Sequence, residues 1–187
     1  MRIIGGSLKG RIIKGKIPPD IRPTTDMVRE SIFNILSNFI SFEGLVIGDF
    51  CAGTGLLGFE ALSRGAGHCV FVDKSIYALK FIAETGIYFS IEIDKYSVFK
   101  KEVIKFLNNV SDYLPSRKFD LIFCDPPYHS FLLNNILEII TSRQIIAVHG
   151  LFVAEHDDSE IIICPKGWIK VSGKKFGSTV IDIYQLN

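Results

Sequence analysis

The run LVIGDFCAGTGLLGFEALS, residues 45–63, sets out a strand, a glycine turn and a helix in succession. Leu45 to Phe50 has the continuous apolar character of a buried strand. Gly53-Thr54-Gly55-Leu56-Leu57-Gly58 follows with G-x-G-x-x-G spacing, and Leu56 to Ser63 reads as a helix stopped by Gly65 and Gly67. Glycines in such a turn bend the chain sharply and let a ligand lie against the backbone. The same turn can also serve structure alone.

On either side the pattern repeats. Downstream, strands are expected at Cys69–Asp73, Tyr96–Phe99, Phe119–Cys124 and Leu151–Glu155, with a short one at Ile161–Ile163. Helices are expected from Ile76 to about Tyr88, from Glu102 to Asn108 and from Phe131 to Ile140. Trp168–Lys174 and Thr179–Gln185 flank Phe176-Gly177 as a terminal antiparallel hairpin. Alternating strands and helices predict an α/β fold with a mostly parallel sheet covered on both faces. Upstream, Val28, Ile32, Ile35, Leu36 and Phe39 mark one face of a helix that Thr24 or Thr25 can cap. Before it, residues 2–4 and 8–13 are β-branched runs around Gly5-Gly6-Ser7, and Pro18, Pro19 and Pro23 mark a loop. The chain therefore divides into a β-hairpin extension, 1–23, and an α/β domain, 24–187.

The 187 residues suit one domain with a small appendage, and 48% hydrophobic against 22% charged residues excludes disorder. No apolar run reaches the roughly 18–20 residues of a membrane span, and the N-terminus lacks a signal peptide's apolar stretch, so a cytoplasmic protein without membrane contact is expected. Cys51, Cys69, Cys124 and Cys164 form no C-x-x-C pair, and the four histidines show no ligand spacing, so no metal is expected.

Charge separates the ligands a glycine turn accepts. Asp49 ends the first strand four residues before Gly53. A pyrophosphate is repelled by a carboxylate there. S-adenosylmethionine carries an ammonium and a sulfonium, which suit one. Asp73 ends the next strand, where a carboxylate accepts from ribose hydroxyls in either ligand class.

Asp125-Pro126-Pro127-Tyr128 follows the strand Phe119–Cys124 and so faces the same crevice. The Asp125 carboxylate and the Pro126 carbonyl can both accept from one NH₂ group. An exocyclic base amine needs that arrangement, because its lone pair is delocalised into the ring. Two acceptors holding its protons turn the lone pair toward a methyl donor. Tyr128 can stack on the base. Asp125, Pro126, Pro127 and Tyr128 are the candidate catalytic residues.

These residues resemble a family, the bacterial 16S rRNA (guanine-N2)-methyltransferases of the small ribosomal subunit. The resemblance runs through Arg2-Ile3-Ile4-Gly5-Gly6, Lys9-Gly10-Arg11, Arg22-Pro23-Thr24-Thr25-Asp26, Val28-Arg29-Glu30, Asp49–Gly55, Glu60-Ala61, Asp73, Asp125–Tyr128 and Lys174-Lys175-Phe176-Gly177. It implies a Rossmann-like class I methyltransferase fold, a seven-stranded sheet whose last strand is antiparallel. It implies methyl transfer from S-adenosylmethionine to N2 of one guanine in 16S rRNA, on the small subunit or its precursor. By position, Asp49, Phe50, Cys51, Ala52, Gly53, Thr54 and Gly55 line the methionine part of the cofactor, and Asp73 with Lys74 the ribose. Glu102 and Val103 lie where the family's adenine-contacting Asp stands, so Glu102 is a departure. Thr85 replaces a common Asn.

The net charge of +1 conceals a division. The first 22 residues carry Arg2, Lys9, Arg11, Lys14, Lys16 and Arg22 against Asp20 alone, a net of +5, and the remainder is −4. A basic arm can grip RNA phosphates, although a lysine-rich edge can also be only a solvated surface. Lys166, Lys170, Lys174 and Lys175 can form a second patch. The Asp-Pro-Pro-Tyr motif also suits adenine N6 in DNA or RNA, or a glutamine amide. A catalytically silent RNA-binding assembly protein and a nicotinamide dehydrogenase are the readings from other classes. A monomer is expected.

Overall fold

The computed structural model describes residues 1–15, 24–114, 118–127 and 130–187. Its strands are β1 (Val46–Phe50), β2 (His68–Asp73), β3 (Tyr96–Lys100), β4 (Phe119–Cys124), β5 (Ile146–Asp157), β6 (Trp168–Phe176) and β7 (Thr179–Leu186). Its helices are α1 (Asp26–Leu36), α2 (Leu56–Ser63), α3 (Ile76–Tyr88), α4 (Val103–Asn108), α5 (Val110–Tyr113) and α6 (Leu132–Ser142). The strands form one sheet in the order β3-β2-β1-β4-β5-β7-β6. Every neighbouring pair from β3 to β5 is parallel, and β7 runs antiparallel to both β5 and β6. This is the expected seven-stranded arrangement.

Alternation along the strands sends side chains to two cores. Ile47, Leu121, Phe123, Leu151 and Val153 face α1, α2 and α3. Phe50, Ile122, Cys124, Phe152 and Ala154 face α4 and α6. Thr25 caps α1, its Oγ1 accepting from Val28 N, and Ser75 caps α3 in the same way.

Three local expectations change. Ile161–Ile163 is not a strand. The segment is held by the Asn134 amide of α6, which donates to Ile161 O at 3.0 Å and accepts from Ile163 N at 2.7 Å. A side chain thus supplies what a neighbouring strand would. β5 starts at Ile146 rather than Leu151, and its pairing with β4 shifts register between Phe119 and Leu121. The extension over residues 1–13 forms a single antiparallel bridge, Arg2 with Ile12, not a ladder.

That extension is sewn to the body. Ile3 and Ile13 join the core beneath α1, α2 and α3. Ile4 N donates to Glu60 Oε2 at 2.8 Å, and Ser7 N to Ser63 O at 2.7 Å. Gly6 has φ +74°, and a Cβ there would strike the Ser63 carbonyl, so a side chain is excluded on both counts. Arg29 is the hub. It is fully buried, donating from Nη1 to Thr24 O at 2.8 Å and from Nη2 to Arg2 O at 2.7 Å and Asp26 Oδ1 at 3.0 Å.

Hydrogen bonds from a charged donor stabilise by about 1.5–3 kcal/mol each, and buried carbonyls left without a donor cost a similar amount. Arg29→Met should therefore lower stability by about 2–4 kcal/mol. Denaturant titration of the two proteins measures this, and a loss below about 0.5 kcal/mol would contradict the hub.

Candidate active site

Strand order reverses at β1, which has β2 on one side and β4 on the other. Crevices at such reversals, outside the carboxyl ends of the strands, are where open α/β sheets take ligands. Here the crevice is rimmed by the turn 51–55, Asp73, residues 100–103 and the segment 125–127.

Cys51, Gly53 and Gly55 of the turn have φ of 58°, 54° and 70°. The left-handed region suits the two glycines and strains Cys51. Gly55 N donates to Ala52 O at 2.7 Å, and Ala52 N to Val72 O at 3.2 Å. Asp73 fastens the turn from the next strand: Oδ2 accepts from Gly53 N at 2.9 Å and Oδ1 from Ser75 N at 2.8 Å. Both oxygens keep room for further donors, since a carboxylate offers about four acceptor positions. Lys74, beside it, is exposed.

Asp49 is 3% exposed, and its Oδ2 accepts from Gly58 N at 2.9 Å. It therefore also caps α2, whose N-cap Gly55 has no side chain to do so. Burial pushes its carboxyl up to about 8, against the Gly58 hydrogen bond and with help from the nearby Asp73 charge. A cation arriving at this carboxylate would restore the ionised form.

Glu102 stands just past β3, exposed and ion-paired with Lys105 at 2.9 Å. Val103 beside it is buried. Lys101 N donates to Asp73 O, so this corner shares the rim with the Asp73 carboxylate.

Asp125 extends the β1–β4 pairing by one residue, its N donating to Phe50 O at 3.3 Å. Pro126 is buried and Pro127 exposed, and Ser130 N closes a turn onto Pro127 O at 3.1 Å. Tyr128 lies outside the described residues. Burial, then the charges of Glu155 and Asp49, raise the Asp125 carboxyl well above the usual carboxylate range, and the Cys51 thiol adds to the effect.

Glu155 was missed by the sequence reading. Ile47 and Asp49, Phe123 and Asp125, and Val153 and Glu155 are each two residues apart on adjacent strands. The three carboxylates therefore share the face of the sheet that carries α1. The β4–β5 register pairs Cys124 with Ala154, which puts Glu155 beside Asp125. Glu155 is 8% exposed, and its Oε2 accepts from Thr24 Oγ1 at 3.2 Å. The signal was present, an acidic residue ending an apolar strand, as at Asp49 and Asp73.

The basic residues are less available than their number suggests. Arg2 pairs with Asp26 at 3.3 Å. Arg11 donates to Phe89 O and Tyr88 O, both at 3.0 Å, closing the end of α3, and lies 5.0 Å from the Phe89 ring centre. Lys14 sits 4.9 Å over the Tyr88 ring. Lys9 is exposed, with no side-chain hydrogen bond or ion pair among the described residues. Lys16 and Arg22 lie outside those residues. In the second patch Lys170 pairs with Asp182 and Lys175 with Asp158, and Lys174 donates to Ser31. Among the described residues no cluster of His, Cys, Asp or Glu could hold a metal ion, and no helix is long and apolar enough to cross a membrane.

Comparison with known proteins agrees with this geometry. The chain is 36% identical over 187 residues to a Bacillus subtilis protein named "Putative rRNA methyltransferase YlbH", covering 99% of this chain and 98% of that one. It is 32% identical to the "Ribosomal RNA small subunit methyltransferase D" of Buchnera aphidicola, over 89% of this chain and 83% of that one. A solved structure from Escherichia coli, "Putative methyltransferase yhhF", superposes with a TM-score of 0.82 at 25% identity, covering 100% of this chain and 98% of that one. The resemblance read from the sequence extends over the same length. Residues 1–185 match the family described as conserved hypothetical protein 95, and the chain belongs to that family.

Proposed function

We propose that this protein transfers a methyl group from S-adenosylmethionine to the exocyclic N2 amine of a guanine in 16S rRNA. It acts in the cytoplasm, as a monomer, on the small ribosomal subunit or its precursor. The observation that carries the reading is the position of Asp125 and Pro126, two acceptors at the end of β4 beside the glycine turn that follows β1. Relatives named as rRNA methyltransferases support RNA as the substrate.

The residues present fit this cofactor. Asp49 is a buried carboxylate whose one protein donor is Gly58 N among the hydrogen bonds of the described residues, and the methionine ammonium complements it. Asp73 can accept from ribose hydroxyls while holding Gly53 and Ser75. Phe50, Cys51, Ala52, Thr54 and Gly55 complete the methionine side, with Lys74, Glu102 and Val103 toward the ribose and adenine. When bound, the sulfonium supplies an electrophilic methyl group.

The chain's own task is to aim and deprotonate the amine. The Asp125 carboxylate and the Pro126 carbonyl accept its two N–H groups, which localises the lone pair on nitrogen. Pro126 has no N–H to compete for those acceptors. A carboxyl with raised proton affinity, such as Asp125, is suited to take up the proton that the methylated nitrogen sheds. Tyr128 stacks on the base, which must leave its own stack to reach this depth. The extension 1–23 is the RNA-holding element. Its deletion would also remove Ile3 and Ile13 from the core, so charge reversal at the exposed Lys9 is the cleaner probe.

Incubation with labelled S-adenosylmethionine and unmethylated small subunits should yield N2-methylguanosine on nucleoside analysis. N6-methyladenosine in its place would overturn the reading. Asp125→Ala should lower kcat by about 10²–10³ with cofactor affinity within roughly threefold of the parent. Because Asp49 is protonated at pH 7 and a cation favours its ionised form, cofactor binding should release up to about one proton at that pH. Release should vanish above about pH 9 and in Asp49→Asn, read from calorimetric heats in buffers of differing ionisation enthalpy. Lys9→Glu should weaken RNA binding and reduce the slope of log affinity against log salt by about 1.

A further inference from the structure

The acceptor pair Asp125 and Pro126 explains how an amine is held, but not why the amine of guanine and not that of adenine. Both bases present an NH₂ group to such a pair. They differ one ring atom away. Beside its N2 amine guanine carries N1–H, a donor, whereas beside its N6 amine adenine carries a bare N1, an acceptor. A site that chooses guanine needs a second acceptor next to the one holding the amine.

Glu155 occupies that place. The β4–β5 register sets it beside Asp125, on the same sheet face and one strand over, about 4.8 Å away along the hydrogen-bonding direction. It is buried, so an acceptor there meets little competition from water. Asp49 cannot serve. It lies on β1, opposite Phe123 and so two residues deeper than Asp125, and serves the methionine ammonium in the functional reading above. Thr24 Oγ1 donates to Glu155 Oε2 at 3.2 Å and steadies the carboxylate. Thr24 is itself fixed, because Arg29 holds its carbonyl at 2.8 Å.

We propose that Glu155 accepts the ring N1–H of the target guanine and is the residue that selects guanine over adenine; this rests on the functional reading above. An adenine in the same pose would set its N1 lone pair against the carboxylate, acceptor against acceptor, with no hydrogen bond gained for the water that N1 gives up.

The test uses the full chain, S-adenosylmethionine and small-subunit particles whose mapped target guanosine is either kept or replaced by 2-aminopurine riboside. That analogue retains the 2-amine and has a bare ring N1. The wild-type protein should methylate it roughly 10- to 100-fold more slowly than guanosine. In Glu155→Gln the amide NH₂ can donate to the bare nitrogen, so the preference should fall to about threefold or invert, with cofactor affinity unchanged by calorimetry. Glu155→Asp, which withdraws the acceptor by one methylene, is the second variant and should lose most of the preference as well. An unchanged preference in a variant that still binds cofactor overturns the role of Glu155 and leaves guanine methylation standing. Failure of the wild type to form N2-methylguanosine on unsubstituted particles overturns the functional reading itself, and this one with it.

Discussion

Burial of carboxyl groups at the carboxyl edge of the sheet is the constraint around which the rest is arranged. Asp49, Asp125 and Glu155 lie on one face of three adjacent strands, where an ionised carboxylate without partners is costly. Among the described residues, backbone donors and one hydroxyl contribute to meeting that cost. Gly58 N serves Asp49, Thr24 Oγ1 serves Glu155, and Gly53 N with Ser75 N serves the neighbouring Asp73. Arg29, fully buried near this region, spends two of its donors on carbonyls and pairs with Asp26. The crevice therefore holds carboxyl groups of raised proton affinity, which a cationic methyl donor can ionise and a base can meet with its donor edge.

The same economy explains the basic arm. Its charge stood out as a phosphate grip, yet Arg2, Arg11 and Lys14 also hold the arm to α1 and α3. A cation that closes a helix end or lies over a ring still projects a positive potential. Structural and RNA-facing uses of these side chains are compatible, and the arm behaves as part of the body rather than as a loose appendage.

The sheet was legible because buried parallel strands read as apolar runs and glycines mark the turns between them. Asp49, Asp73 and Asp125 were legible for the same reason, since each stands at the carboxyl end of such a run. Glu155 was not, although it ends the apolar run Leu151–Ala154 in the same way. Nothing in its own neighbourhood shows that β5 lies beside β4, and only the register brings it to Asp125. Ile161–Ile163 failed in the opposite direction. Its β-branched residues fit a strand, but the edge it follows is supplied by the Asn134 side chain, a pairing that alternation cannot reveal. α5 went unread because a four-residue helix carries too little periodicity to register.

The insertion of β7 between β5 and β6 has a bearing on how the molecule is made. Until Thr179–Leu186 pairs along Leu151–Asp157, that stretch of β5 is an open edge, carrying Glu155 on a strand that has only β4 for a neighbour. During synthesis the four strands β3, β2, β1 and β4 can come together early, and with them the glycine turn and Asp73. The wall of the crevice that β5 contributes hardens only after the terminal hairpin has folded back. A nascent chain would then pass through a stage able to take a small cationic ligand before its base-facing side exists, and the order of assembly within the molecule would follow the order of the sheet from one edge to the other.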